Sequence, residues 1–323
     1  MREDGRMSTI IVGAGITGLS CAQTLNEHGE RVTVLDKGRG VGGRLATRRI
    51  GAATFDHGAQ FFTVRDQGFQ HATEEYIRRG LVYEWCRGFT ADPDGFARYA
   101  VTGGMAQLAK YLAQDISVRT NTLVFGVAPS TSGWIVTDDA GTTYTGDKLV
   151  VTCPLPQAFS LLFTAGVQIP EKLARTEYDR TIALLAVVND PPDVGSHGAR
   201  PDSSGGTIFS MIVDNQRKGV SAVPAITAHA NAPWSKDHWD TPHEVTHQKL
   251  LNELRGTLTD VTVVESQVKR WRFATPQSIW PDPCWVWPGS GPRLVLAGDA
   301  FAGPRVEGAW LSGRAAASAV LRT

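Results

Sequence analysis

The sequence predicts an α/β fold, α+β overall, with a discontinuous doubly wound domain and a mixed-sheet second domain. Three observations predict it. Residues 8–36 read strand, helix, strand. Residues 293–321 return to a buried strand and a helix. Between residues 159 and 288, strand-like runs alternate with loops rich in Pro, Gly, Asp and Ser. The changes of texture place the first domain at 1–65, 100–158 and 289–323, and the second at 66–99 and 159–288.

Thr9-Ile10-Ile11-Val12 is fully apolar, as a parallel strand buried on both faces requires. Leu19, Ala22 and Leu25 then recur at helical spacing over residues 16–28, and Gly29 stands where a helix stops. Val32–Leu35 forms the second strand and ends in Asp36. Residues 73–79 and 104–113 read as helices, and residues 131–145 as a hairpin. Lys148–Thr152 is another buried strand, closed by Pro154-Leu155-Pro156. In the second domain, residues 182–188, 207–213 and 261–268 are strand-like. Arg293–Ala297 and a helix over residues 308–321 end the pattern.

The composition narrows the function classes. Of 323 residues, 42% are hydrophobic and 20% charged, which supports a large core and excludes wholesale disorder. Lys and Arg number 32, as do Asp and Glu, so no basic excess exists to hold a phosphate backbone, and nucleic acid is not expected as a partner. Residues 8–26 carry no charge, but their glycines, hydroxyls and amides fit neither a membrane span nor an export signal. The leading Met1-Arg2-Glu3-Asp4 has the wrong charge pattern for export, Met7 is an alternative start, and a cytoplasmic location is expected. Cys21, Cys86, Cys153 and Cys284 are too widely spaced for a redox or metal pair and read as small buried hydrophobes.

Gly13-Ala14-Gly15-Ile16-Thr17-Gly18 fits G-x-G-x-x-G and stands between strand and helix, where the mechanism needs it. Gly13 makes the tight turn, Gly15 admits a pyrophosphate, and Gly18 lets the helix pack close to the strand. The helix start offers free N–H groups to the anion. Asp36, eighteen residues beyond Gly18, can accept hydrogen bonds from a ribose diol. Gly38–Arg44 is a second glycine-rich loop with basic side chains, suited to the same pyrophosphate. At the other end of the chain, Gly298-Asp299 puts a carboxylate after a strand, placed for a ribityl chain. A long cofactor reached from both ends of the sequence is FAD rather than NAD.

These residues also carry a resemblance. Gly13–Gly18, Asp36-Lys37, Gly42-Gly43-Arg44, Phe55-Asp56-His57-Gly58-Ala59-Gln60-Phe61-Phe62 and Val306-Glu307-Gly308-Ala309-Trp310-Leu311-Ser312-Gly313 together resemble the renalase family, a small branch of the amine-oxidase-like flavoproteins. The likeness is sharpest at the two ends of the chain. It implies non-covalent FAD in a fold of the p-hydroxybenzoate-hydroxylase type, with a substrate domain over the flavin. It assigns Thr17, Asp36, Arg44, Gln60, Phe61 and Asp299 to FAD; Gly13, Gly15, Gly18, Lys37, Gly43, Glu307 and Gly308 complete the expected cofactor set. It further implies oxidation of isomeric forms of NAD(P)H to NAD(P)+, with O2 as acceptor and hydrogen peroxide as product. No cysteine stands near Asp299 or Gly308 to make a covalent flavin link.

A helix starting near Gly308 is expected to face the N1–C2=O edge of the ring, where reduction leaves negative charge. Such a helix end contributes about 0.3–1 kcal/mol, and about 2 kcal/mol at most. Phe61, Phe62, His229, Trp271, Arg272, Phe273 and Trp310 are the expected substrate face; His229, Trp271 and Arg272 come from the resemblance. Arg272 is suited to a phosphate or carboxylate on the substrate. No general base stands out. A dihydropyridine gives up hydride without one, whereas an alcohol or amino acid must also lose a proton.

His243-Glu244-Val245-Thr246-His247 matches H-E-x-x-H. A helix start with Thr241 as N-cap, Pro242 in the first turn and Glu244 in a capping box accounts for it without a metal. Two other classes stay open. One is a flavin oxidoreductase of the same fold acting on an amine or a polyene. The other is a non-catalytic binding module such as the guanine-nucleotide dissociation inhibitors, disfavoured by Asp299 and the intact Gly13–Gly18 turn.

Overall fold

The structure is a computed structural model that describes residues 7–89, 94–195, 197–202 and 204–322. Residues 1–4, which carry the charge pattern unlike an export signal, lie outside the described residues. The chain divides into two compact units. Unit one comprises Met1–Gly43, Ala109–Glu177 and Pro276–Thr323; unit two comprises Arg44–Leu108 and Tyr178–Thr275.

Unit one is built on a six-stranded sheet in the order Trp285–Val286, Leu294–Leu296, Lys148–Val151, Ser8–Val12, Arg31–Leu35, Ser117–Arg119. All neighbours are parallel except the edge strand Trp285–Val286. Ile10, Ile11, Leu149, Val150, Leu294 and Val295 are at most 2% exposed, which is why these segments read as unbroken apolar runs rather than alternating ones. The register aligns Val12 with Leu35 and Val151, and Val151 with Leu296. The turns at Gly13, Asp36, Thr152 and Gly298 therefore all leave the same, carboxyl, edge of the sheet, where open α/β sheets bind ligands.

Helix Ile16–Glu27 packs along helix Val306–Leu321, joining the N- and C-terminal segments. Gly313 makes this possible: a Cβ there would lie 2.0 Å from Ser20 Oγ and 2.2 Å from the Thr17 carbonyl. Ser20 Oγ donates to the Trp310 carbonyl across the same contact. The C-terminal helix begins at Val306, two residues before the expected Gly308. A three-stranded antiparallel sheet, Val124–Ser130, Gly133–Asp138 and Thr143–Gly146, extends the predicted hairpin by one strand.

Unit two is a five-stranded sheet in the order Ala199–Pro201, Phe209–Asp214, Ala225–Ala230, Tyr178–Val188, Val263–Pro276. One face buries Ile182, Leu184, Ile226, Ala228 and Val268 with Leu250 and Leu254 of helix His243–Thr257. The other face buries Leu185 and Ala225 against Ile50, Ala53 and Phe55 of the hairpin Thr47–Ile50/Ala53–Asp56. That packing puts residues 44–65 in unit two, although sequence texture grouped them with the first domain. Residues 276–288 fall in unit one, because Trp285–Val286 pairs with Leu294–Leu296 and Pro283 accepts a hydrogen bond from Ser312.

Candidate functional site

In unit one the glycine turn has the geometry its sequence demands. Gly13 has φ +109°, and a Cβ on it would meet Thr152 Oγ1 at 2.6 Å. A Cβ on Gly18 would sit 1.9 Å from the Gly13 carbonyl, so only glycine lets the helix start this close to the strand. Gly15 differs: its φ is −73°, and a Cβ there would meet nothing within 4 Å. Neither backbone angle nor folded packing requires a glycine at 15. The helix that follows takes Gly15 as N-cap, without a side-chain cap and without an acidic residue in its first turn. Its free N–H groups and positive dipole end suit an anion.

Asp36 is held at the end of the second strand by the N–H groups of Ala14 (2.6 Å to Oδ2) and Gly38 (2.6 Å to Oδ1). The second glycine loop lies directly beside the first: Gly42 N–H donates to the Ala14 carbonyl at 2.8 Å, and Gly15 and Gly42 form a parallel bridge. Gly43 has φ +54°. Lys37 is exposed and Thr17 buried. Asp299 is 6% exposed at the carboxyl edge, and Gly298 N–H donates to Ser312 Oγ at 2.9 Å. Glu307 falls in the first turn of the C-terminal helix, which also lacks a side-chain cap. Gly308 has a packing reason of its own, since a Cβ would meet the Gly303 carbonyl at 2.6 Å. Trp310 is buried, with Arg314 over its ring at 4.9 Å. The glycine turn, the uncapped helix start and Asp36 fit the adenosine diphosphate half of a dinucleotide.

Unit two holds the expected substrate-side residues. Along Val263–Pro276 the side chains alternate between faces. Gln267, Lys269, Trp271 and Phe273 share one face; Ser266, Val268, Arg270 and Arg272 share the other. Trp271 Nε1 donates to the His57 carbonyl at 2.7 Å, and the His57 ring stacks on Trp271 with centroids 5.2 Å apart. His229 Nε2 lies 3.2 Å from the same carbonyl. His229 and Trp271 thus converge on His57, a residue whose role sequence reasoning missed, while the exposed Arg272 projects from the opposite face. Burial pushes both imidazoles down to about 4. For His57 the neighbouring His229, Lys269 and Arg48 add to this against Asp56; for His229 the hydrogen bond to His57 opposes it and Lys218 adds to it. At neutral pH the cluster is uncharged.

The segment leading into this cluster is anchored by an ion pair between Asp56 Oδ2 and Lys218 Nζ, 2.8 Å long and fully buried on both sides. Asp56 Oδ1 also accepts from Thr47 Oγ1 (2.6 Å) and Met105 N (2.7 Å). The Asp56 carbonyl accepts from Gln60 Nε2 (2.7 Å) and Thr227 Oγ1 (2.9 Å). Gln60 is 5% exposed, and its Oε1 has no hydrogen-bond partner among the described residues. Such a buried acceptor calls for a donor from a ligand or water. Phe61 joins Trp85 and Phe89 in an aromatic cluster. Arg44, expected at the cofactor, donates from Nη1 to the carbonyls of Phe273 and Ala274, both at 3.2 Å. No signal in the sequence pairs Lys218 with Asp56, because Asn215–Gly219 reads as an exposed polar turn.

The H-E-x-x-H helix begins one residue later than expected, with Pro242 as N-cap and no side-chain cap. Glu244 accepts from Gln248 rather than closing a capping box, and His247 Nε2 lies 2.7 Å from Ser266 Oγ. Among the described residues no group of three or more His, Cys, Asp or Glu side chains is arranged for a metal, and no helix is long and apolar enough to cross a membrane.

Comparison with known proteins agrees with this architecture. Residues 11–78 match the NAD(P)-binding Rossmann-like domain, and residues 75–321 match the family of flavin containing amine oxidoreductases. A stretch of 60 residues is 40% identical to 4,4'-diapophytoene desaturase of Staphylococcus haemolyticus (strain JCSC1435), covering 19% of this chain and only 12% of that protein. A crystal structure described as a protoporphyrinogen oxidase from Exiguobacterium sp. 255-15 superposes with TM-score 0.74 at 14% identity, covering 97% of this chain and 98% of that one. Cyclohexylamine oxidase from Brevibacterium oxydans IH-35A superposes with TM-score 0.73 at 14% identity, covering 98% of each chain. A putrescine oxidase with bound putrescine superposes with TM-score 0.74 at 15% identity, covering 98% of this chain and 99% of that one. The chain belongs to the flavin containing amine oxidoreductase family.

Proposed function

We propose that this chain is an FAD-dependent oxidase of the renalase type, taking hydride from isomeric forms of reduced NAD(P) and passing the electrons to O2. The observation that carries the reading is the neutral His57–His229–Trp271 cluster. Imidazoles held near pKa 4 are poor bases at neutral pH, so the site suits a donor that needs no deprotonation. A dihydropyridine is such a donor, because its product ring gains aromaticity. When bound, FAD supplies the hydride acceptor and returns the electrons to O2 as peroxide. Trp271 and His229 hold the His57 carbonyl, and the stacked rings offer a flat, uncharged surface for a heterocycle.

A second reading, oxidation of an amine, is backed more directly by family membership and by the fold shared with cyclohexylamine and putrescine oxidases. A neutral amine also transfers hydride without a protein base. Anaerobic flavin bleaching separates the two. The first reading expects rapid bleaching by borohydride-made NADH isomers and none by putrescine or cyclohexylamine. Bleaching by the amines alone would replace it with the second.

A further inference from the structure

We propose that Gln60 Oε1 is a specificity-determining acceptor that reads an amide N–H on a ring-bearing ligand. Two sources offer that chemistry: the carboxamide of a nicotinamide hydride donor and the imide edge of an isoalloxazine. The first rests on the reading above; the second does not.

The polarity of the side chain is fixed by what surrounds it. Its Nε2 donates to two main-chain carbonyls, those of Asp56 at 2.7 Å and Gly58 at 3.3 Å. A carbonyl only accepts, so the amide end that meets both must be the NH2. Both of its hydrogens are spent there, and Gln60 has an acceptor but no donor left for a ligand. The residue is 5% exposed, and Oε1 has no hydrogen-bond partner among the described residues. An acceptor buried this deeply is costly to leave unmet.

The mount is rigid. The Asp56 carbonyl also accepts from Thr227 Oγ1, while its carboxylate is held by Lys218, Thr47 and the Met105 amide. The next carbonyl, that of His57, takes the Trp271 indole N–H and lies 3.2 Å from His229 Nε2. With the carbonyls of residues 56, 57 and 58 all engaged, Oε1 and His57 Nδ1 are the buried side-chain atoms of this segment that lack a partner among the described residues. Two unmet polar atoms on one braced stretch of chain mark a place that leaves its hydrogen bonds to a ligand.

The partner of Oε1 must be a donor, and a neutral, planar one suits it. Asp56, the carboxylate of the segment, is already paired with Lys218, and that ammonium bears on His229 as well. A second cation brought to Oε1 would lose its water without gaining a counter-charge. A hydroxyl swings about its C–O bond, whereas an amide N–H conjugated to a ring keeps to the ring plane. A fixed acceptor therefore sets the orientation of an amide-bearing ring as well as selecting it.

The test uses the holoenzyme and three oxidised dinucleotides that differ only at the ring substituent: NAD+, its thioamide analogue and its 3-acetylpyridine analogue. The thioamide keeps the N–H and replaces the carbonyl oxygen; the methyl ketone keeps the carbonyl and loses the N–H. Binding is read by isothermal titration calorimetry. With the carboxamide as the source, NAD+ and the thioamide bind at least about fivefold tighter than the methyl ketone, the cost of one unmet buried acceptor. That ratio falls to about one in Gln60→Met, which keeps the length of glutamine without its amide. FAD and N3-methyl-FAD, titrated into the apoprotein, form the second comparison. With the imide as the source, the preference for FAD appears there and falls in Gln60→Met. A clash of the added methyl group persists in the variant, so only a lost hydrogen bond makes that preference fall. Ratios taken on one protein cancel any general weakening of the fold, and the wild-type rankings decide alone if the variant does not fold. No preference in either comparison, or a preference undiminished in Gln60→Met, overturns the assignment and leaves Oε1 to a water molecule. The oxidase reading fails separately: a preference for N–H-bearing dinucleotides with no bleaching by any reduced isomer keeps the acceptor and removes the donor.

Discussion

Replacing Lys218 with Met leaves the Asp56 carboxylate fully buried without its cation, and the structure sets the size of the penalty. Both partners are 0% exposed, and removing one partner of such a pair costs about 3–5 kcal/mol. Asp56 keeps Thr47 Oγ1 and the Met105 amide as donors, which places the loss near the lower end, about 3 kcal/mol. The ammonium also sits 5.4 Å from the centroid of Trp85, a contact the methionine retains only as packing. With a urea dependence of about 1–3 kcal/mol per molar, the midpoint of unit two should fall by about 1–3 M. Lys218→Met combined with Asp56→Asn removes both charges and should recover more than half of the loss. The assay is urea unfolding followed by fluorescence of Trp85 and Trp271, with and without saturating FAD. A single variant within about 1 kcal/mol of wild type, or a double variant no better than the single, would refute the view that this pair anchors the segment leading to His57.

Acid should destabilise unit two. Unfolded histidine titrates at 6.5, and His57 and His229 are held near 4, so between those values the unfolded chain binds more protons and stability falls as pH is lowered. Each can contribute up to about 3 kcal/mol. Urea midpoints between pH 7 and pH 4.5 should show this slope, and His229→Gln should flatten it by about half. Trp271→Phe removes the 2.7 Å bond to the His57 carbonyl and should cost about 1–2 kcal/mol together with weaker donor capture, read by thermal melts and stopped-flow flavin reduction. Gly313→Val drives a side chain into Ser20 and Thr17 across the packed helices and should cost about 3 kcal/mol or prevent folding, visible as loss of soluble protein.

Much of unit one was legible because its strands are buried on both faces and its turns need glycine. The Gly13–Gly18 turn, Asp36 and the return of the chain at Leu294–Leu296 all follow from local rules. Unit two was less legible. Its domain edges depend on which core the Thr47–Asp56 hairpin joins, and that is decided by Leu185 and Ala225, far away in sequence. The side-chain alternation of Val263–Pro276 was readable once the strand was known, yet its length was underestimated because Gln267, Lys269 and Arg270 interrupt the apolar pattern. Sequence reasoning grouped Arg272 with Trp271, whereas strand pleating turns the two side chains to opposite faces. His57 and the Asp56–Lys218 pair gave no periodic signal at all, since their partners lie more than a hundred residues away.

FAD titration of the apoprotein and of its Gly15→Ala variant tests the cofactor turn most directly. Gly15 has an ordinary backbone angle and a Cβ there meets nothing in the folded chain, so the variant should fold with stability within about 1 kcal/mol of wild type. The wild type should take up one FAD per chain, and the variant should bind it at least about tenfold more weakly, because the methyl occupies the approach of the pyrophosphate. Equal FAD affinity in both proteins, or a wild type that stays colourless with FAD in excess, would contradict the account.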